Sequence, residues 1–317
     1  MVQILGLLLI SFFAVSVLLV PYINLLYKIK FLRQRQKTRD IFEAPTPIFD
    51  RLHASKIGTP VGGGALIIIL VSVLFLIIVN VAPFFGFQQT SVYPLSKEIK
   101  ILLFTFVSFG ALGLLDDIRK TFNLKRTNFW GLRFRYKFLV QWILALSIAF
   151  MLYFQLGISI VNIRFFDVVN LGYFYIPFAA FVIVSFANAV NISDGLDGLA
   201  SGLLIICLIA FLYFNVWPAR IWLGDVGVLS FGATLAVCGL LLGKPIALAV
   251  IGGVFVAEVS SSAVQLLSKK FRGKRVFEVA PFHLWLQNKG WQEPKIVFRF
   301  WLAQTIFAVL GLWLSFF

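Results

Sequence analysis

The chain has 317 residues, of which 60% are hydrophobic and only 13% charged, with a formal net charge of +15. A soluble domain carries about 25% charged residues, so this composition excludes a soluble globular protein and points to a polytopic membrane protein. Its apolar runs are continuous and do not alternate, which favours an all-α polytopic membrane bundle over a barrel, as a single transmembrane domain over residues 1–317. The two cysteines, Cys207 and Cys238, lie in apolar runs and read as packing residues.

A span needs about 20 apolar residues. The first run, Ile4 to Tyr27, has no basic segment before it and no small-residue cleavage pattern after it, so it reads as a retained helix. Lys28 to Pro60 follows with Lys28, Lys30, Arg33, Arg35, Lys37, Arg39, Arg51 and Lys56, which assigns it to the cytoplasmic side. His53 in this connection reads as a solvated loop histidine. Gly62, Gly63 and Gly64 open the second span, which runs to Val81, and suit close helix packing. Pro83 to Lys97 reads as external.

The third span, Ile99 to Leu115, ends in Asp116-Asp117, adjacent carboxylates that repel unless a cation sits nearby. Arg119, Lys120, Lys125, Arg126, Arg133, Arg135 and Lys137 then mark a cytoplasmic loop. Phe138 to Leu156 returns outward, the segment 157–172 carries only Arg164, and Tyr173 to Val190 comes back.

The stretch from Asn188 to Ala200 holds two Asn, one Ser, two Asp and two Gly between apolar runs. Carboxylates among membrane spans normally serve function, although a plain acidic surface turn is the alternative. Asp194 and Asp197 are three apart and share a face if they open a helix, which Asn191 or Ser193 would cap.

Gly198 to Asn215 is long enough for one crossing. Val226 to Gly243, Ala247 to Leu267 and Ile296 to Phe316 complete nine countable spans. Nine crossings would put Asp225 and the basic segment Lys269 to Arg275 outside, against the charge rule. One more crossing between Gly198 and Asn215 would repair both; otherwise that segment follows a re-entrant or broken path. The five acids Asp116, Asp117, Asp194, Asp197 and Asp225 are then expected to converge on one cytoplasmic cleft.

With the acids placed, Gly113-Leu-Leu-Asp-Asp117, the Asn188 to Ala200 stretch and Trp222-Leu-Gly-Asp-Val-Gly227 resemble the polyprenyl-phosphate N-acetylhexosamine-1-phosphate transferase superfamily. Lys56-Ile-Gly-Thr-Pro60, Gly252 to Glu258, Gly273 to His283 and Lys289 to Trp301 are similar to its phospho-N-acetylmuramoyl-pentapeptide-transferase branch. The match covers most of Lys56 to Trp301.

The resemblance implies ten spans and a multi-pass enzyme of the bacterial inner (plasma) membrane with its site on the cytoplasmic side. It implies a UDP-sugar donor, undecaprenyl phosphate as the lipid acceptor, Mg²⁺ as cofactor and no nucleic-acid partner; a homodimer is left open. Asp225 would be the metal ligand, and Asp116 or Asp117 would orient or deprotonate the lipid phosphate. Asn191, Asp194 and Asp197 would face the nucleotide sugar, and Trp222 would stack on uracil. Lys56, Lys120, Lys137, Asn215 and Gln265 would be polar substrate contacts, and His283 the motif histidine. Three departures stand out: Leu284 and Trp285 replace the two histidines that usually follow His283, Val228 replaces a serine, and the Gly198 to Asn215 segment is short. The alternatives are a UDP-N-acetylglucosamine donor, or a silent relative that binds lipid carriers. A transporter would want broken helices or repeated halves at the midplane.

Overall fold

The computed structural model describes residues 2–34, 45–85, 92–122, 134–162 and 168–316. Arg35, Lys37, Arg39, Lys125, Arg126, Arg133 and Arg164 lie outside the described residues, as does the side chain of Cys207.

In lipid a chain must satisfy its own backbone N–H and C=O groups, so the apolar runs become helices. The first half has α1 (Val2–Lys28), the short α2 (Pro47–Leu52), α3 (Gly63–Val81), α4 (Leu95–Phe122) and α5 (Phe134–Phe150). A small antiparallel hairpin, β1 (Ile160–Asn162) and β2 (Val168–Asn170), pairs Val161 with Val169. Then come α6 (Tyr175–Ser193), α7 (Leu199–Leu203), α8 (Ile205–Asn215) and α9 (Gly224–Leu241). The chain closes with α10 (Pro245–Ile251), α11 (Gly253–Arg272), α12 (Phe282–Asn288) and α13 (Glu293–Phe316).

Among the described residues seven helices are long and apolar enough to cross a membrane, and α10 with α11, bent by 86°, makes an eighth if the pair is one span. This corrects the count of nine spans with ten expected. The difference lies in Gly198 to Asn215, which does not cross. Leu208, at φ −126° and ψ 18°, breaks α8. The two ends of the segment meet: a Cβ on Gly198 would stand 3.6 Å from the Asn215 carbonyl oxygen. The Ser201 hydroxyl donates to Asn215 Oδ1, Asn215 Nδ2 donates to the Ile221 carbonyl at 2.8 Å, and Trp301 Nε1 donates to the Gly198 carbonyl at 3.2 Å. The segment is therefore a re-entrant hairpin. Eighteen mostly apolar residues satisfy the length criterion either way; buried tertiary partners decide the path.

Helix α9 is the hub, packed against α3, α4 and α6. Small residues let the backbones close in. A Cβ on Gly113 of α4 would run into the backbone of Asp225 and Val226, and one on Gly64 of α3 into Gly227. The entry to α9 is pinned by a strand-like pairing with the segment before α3: Trp222 N–H donates to Pro60, Gly63 N–H to Trp222 and Gly64 N–H to Leu223, each at 2.9 Å.

One end of the bundle collects the C-termini of α1, α4 and α6 and the N-termini of α3, α5, α9 and α13. The opposite end is tied by Lys97 Nζ to the Gln155 carbonyl at 3.0 Å, Asn162 N–H to Gly243 at 3.2 Å, and Lys244 to the Ser315 carbonyl. Because α7 and α8 fold back, Asp225 stays at the same end as Asp116, Asp117 and Asp194.

Candidate active site

At that first end a cavity of about 300 Å³ is lined by Asp117, Asn191, Asp194, Trp222 and Asp225, together with Arg33, His53, Lys120, His283 and Leu284. Asp225 heads α9. Its Oδ2 takes Lys120 Nζ at 2.7 Å and a still closer Lys137 Nζ, and its Oδ1 accepts from Asn191 Nδ2 at 3.0 Å. The same two ammonium groups reach Asp116, Lys120 at 3.0 Å and Lys137 at 2.9 Å. Two lysines therefore bridge two buried acids, and the charges offset one another.

Asp117 points the other way. Its Oδ1 accepts the backbone N–H of Asp225 at 3.2 Å and its Oδ2 that of Val226 at 3.1 Å. An anion at the start of a helix satisfies orphan N–H groups and the helix dipole. Gly224 makes this approach possible: it adopts φ +73°, and a Cβ there would stand 2.5 Å from Asp117 Oδ2.

The Asn188 to Ala200 stretch ends α6 and does not open a helix at Asp194, so the expected cap is absent. Asn191 bonds Asp225, and the Ser193 hydroxyl bonds the Ala189 carbonyl within its own helix at 3.0 Å. Asp194 sits just past α6 and faces the cavity. Burial, then the charges of Asp225 and Asp117, push its pKa well above the ordinary carboxylate range.

Of the five acids, Asp117, Asp194 and Asp225 line the cavity; Asp116 joins them only through the lysines it shares with Asp225, and Asp197 leaves the cluster. Its carboxylate pairs with Lys56 Nζ at 3.1 Å and accepts Ala219 N–H at 2.9 Å. Lys56 is buried, and it also binds Glu293 at 2.5 Å and the Gly195 carbonyl at 3.2 Å. Lys56 and Asp197 thus join the connection before α3, the α6–α7 turn and the start of α13. Asn215 closes the re-entrant hairpin. Gln265 fixes the backbone of Val276 and Phe277 at 3.0 and 2.9 Å. Neither lines the cavity; both are engaged in holding the chain.

Trp222 lines the cavity, but cations already rest on its ring: the Arg33 guanidinium carbon at 4.5 Å from the centroid and Lys56 Nζ at 4.8 Å. His283 is buried, with Nδ1 at 2.7 Å from Glu258 Oε2 and its backbone N–H on Glu258 Oε1 at 3.1 Å. Its Nε2 is buried with no bond. Leu284 adds an apolar wall, while Trp285 turns to stack on Phe282 at 5.6 Å.

His53 is not the solvated loop histidine expected from the sequence. It is 6% exposed, with Nδ1 at 2.9 Å from the Phe49 carbonyl and Nε2 at 3.1 Å from the Gly195 carbonyl. The segment carrying it folds back over the end of α6. Burial, then Arg33 and Lys56, push its pKa down to about 3. Sequence reasoning gave no role to Arg33, Glu258 or Glu293. Glu258 left a signal, a lone carboxylate inside an apolar span. Arg33 and Glu293 were hidden among ordinary loop charges.

Mg²⁺ is bound through oxygen, often by one or two carboxylates completed by substrate phosphates. The donors here fit that habit. Among the described residues no group of three His, Cys, Asp or Glu could hold a metal by itself. Asp225 and Asp194 nevertheless face one cavity, so both carboxylates could meet one cation there.

A family model described as glycosyl transferase family 4 matches residues 99–210 and 202–243. A phospho-N-acetylmuramoyl-pentapeptide-transferase of Rickettsia prowazekii (strain Madrid E) is 36% identical, over 90% of this chain and 86% of that protein. Its namesake from Rickettsia felis is 35% identical over the same shares. The alignment runs to 331 positions, more than the 317 residues of this chain, so the relative holds residues that have no counterpart here. The two family-model matches overlap at 202–210, inside the α7–α8 hairpin.

Proposed function

Because this chain belongs to the phospho-N-acetylmuramoyl-pentapeptide-transferase family, we propose that it transfers phospho-N-acetylmuramoyl-pentapeptide from a UDP-linked donor to undecaprenyl phosphate. The products are lipid I and UMP, a membrane step of peptidoglycan synthesis. A lipid phosphate oxygen forms a bond to the sugar-linked phosphorus, and the bond from that phosphorus to the UMP oxygen breaks. No strong base is required, because a phosphate monoester is already largely ionised near neutrality.

The observation that carries this reading is the cavity where Asp225, between Lys120, Lys137 and Asn191, stands beside Asp117 and Asp194. Phosphoryl transfer is mainly positioning and charge stabilisation. Asp225 would hold Mg²⁺, with Asp194 beside it. Bound there, the ion supplies charge neutralisation between two anionic phosphates. Lys120 and Lys137 orient Asp225 and add positive charge. Asn191 fixes the Asp225 rotamer. His283, set by Glu258, lines the cavity with its Nε2 against Gly195 and would offer that nitrogen to a sugar or phosphate oxygen.

The site would lie on the cytoplasmic face of a bacterial plasma membrane. The basic residues Lys28, Lys30, Arg33, Arg119, Lys120, Lys269 and Lys270 gather at the site end, as the positive-inside rule requires. The test is UMP release by purified protein with undecaprenyl phosphate, Mg²⁺ and a panel of UDP-sugars. Turnover with the muramoyl-pentapeptide donor is expected. Preference for UDP-N-acetylglucosamine would move the donor assignment, and no UMP release from any donor would leave a lipid-carrier-binding protein.

A further inference from the structure

We propose that Arg33, laid on the ring of Trp222, binds a phosphate of the nucleotide donor. The assignment rests on the reading of the site as a nucleotide-sugar transferase. Arg33 is set by its backbone: its N–H donates to the Thr59 carbonyl at 2.9 Å, and its carbonyl accepts Gly58 N–H at 3.0 Å. These bonds do not depend on the side chain.

The guanidinium rests 4.5 Å from the Trp222 centroid. Stacking uses the π face and leaves the in-plane N–H fork free, which suits bidentate phosphate recognition. The neighbouring cations are committed. Lys56 is held by Asp197 and Glu293, and Lys120 and Lys137 by Asp116 and Asp225. Among the described residues no carboxylate stands within ion-pair distance of Arg33. Asp194, Asp197, Asp225 and Glu293 act on the guanidinium through their charge without forming an ion pair, while on the cavity wall His283 is tied to Glu258 through Nδ1 and Leu284 is apolar. An anion entering the cavity meets Arg33 as its available forked donor.

Position selects the donor phosphate over the lipid phosphate. Arg33 lies after the end of α1 and before α3, outside the membrane-spanning segments. A soluble nucleotide sugar arrives from that side, whereas a lipid phosphate slides in beside the spans. Trp222 then serves as the platform that holds the guanidinium flat.

Arg33→Gln and Arg33→Lys are compared with the wild type for KM of each substrate, and for binding of uridine diphosphate by titration calorimetry in detergent. Losing a charged hydrogen-bonding pair costs about tenfold or more in affinity. Arg33→Gln should raise the donor KM and the uridine diphosphate Kd by about that factor, with the KM for undecaprenyl phosphate unchanged. Arg33→Lys keeps the charge but not the fork and should fall between. An unchanged donor KM and uridine diphosphate Kd in Arg33→Gln, or a change confined to the lipid KM, overturns the assignment. A wild type that releases no UMP yet binds uridine diphosphate through Arg33 keeps the assignment and loses the transferase reading. A wild type that does not bind the nucleotide at all removes both. Melting curves of the two variants verify that the fold is retained.

Discussion

Asp117 accepts the backbone N–H of Asp225 at 3.2 Å, so one acid of the site positions another. The adjacent carboxylates of the Asp116-Asp117 pair therefore do different work. Asp116 shares two lysines with Asp225, and Asp117 seats the helix that carries Asp225. Asp117→Asn keeps one acceptor but aims an amide N–H at the second backbone donor. We expect it to cost about 1–2 kcal/mol of stability as a lost cap. Displacing Asp225 should lower kcat by about 10²-fold. Wild-type kcat with a lowered melting temperature would show that the seating does not matter to the chemistry.

Asp225→Asn should abolish Mg²⁺-dependent UMP release. It also removes one of the two carboxylates that Lys120 and Lys137 share, and breaking a buried charge cluster costs about 3–5 kcal/mol. A lower melting temperature should therefore accompany the loss of turnover. Chelation of the wild type should stop turnover and be reversed by added Mg²⁺. Rates like those of the wild type in the variant would remove Asp225 as the metal ligand.

His53 gives a pH prediction with a definite sign. Its pKa falls from the ordinary 6.5 to about 3 in the folded protein. Between those values the unfolded chain binds the extra proton, so stability falls as pH drops from 6.5 towards 3. Asp194, with its raised pKa, acts in the opposite sense, so the comparison must isolate His53. His53→Gln should flatten the acid limb of melting temperature against pH relative to the wild type. Parallel curves for the two proteins would mean that His53 is protonated in both states.

The re-entrant path makes a topological prediction. In a background without native cysteines, Arg220→Cys and Lys274→Cys should both label from the cytoplasmic side. Lys97→Cys, at the other end, should label only from outside. Labelling of Arg220→Cys from outside would turn the α7–α8 hairpin back into a crossing.

Much of the site was legible because its acids interrupt apolar runs, and burying charge in a membrane protein calls for a reason. Asp116, Asp117, Asp194 and Asp225 were found that way. The same rule could have raised Glu258, which holds His283, but its apolar surroundings read as plain span. Asp197, Lys56, Asn215 and Gln265 were given to substrate because polar residues beside a site look alike in sequence. Their partners within the chain are not legible in the sequence: Glu293 for Lys56, Ser201 for Asn215, the Val276 and Phe277 backbone for Gln265. His53 was misread for the converse reason, since a loop residue is buried only when its loop folds back. The crossing count failed at one place, where an apolar run of spanning length turns round between α7 and α8 and is broken again at Leu208.

The hairpin that begins and ends on one face also fixes what evolution or an engineer can add there. Any insertion between Leu203 and Ile205 that crosses the membrane an even number of times leaves every later helix pointing as it does now. With α10 and α11 taken as one span, two added helices would take the count from eight to the ten expected of the family without inverting Asp225. An odd number would carry the whole second half, α9 to α13, to the wrong side. The α7–α8 turn is thus a socket for helical pairs, whose own apolar faces would meet the surroundings that the hairpin tip already has.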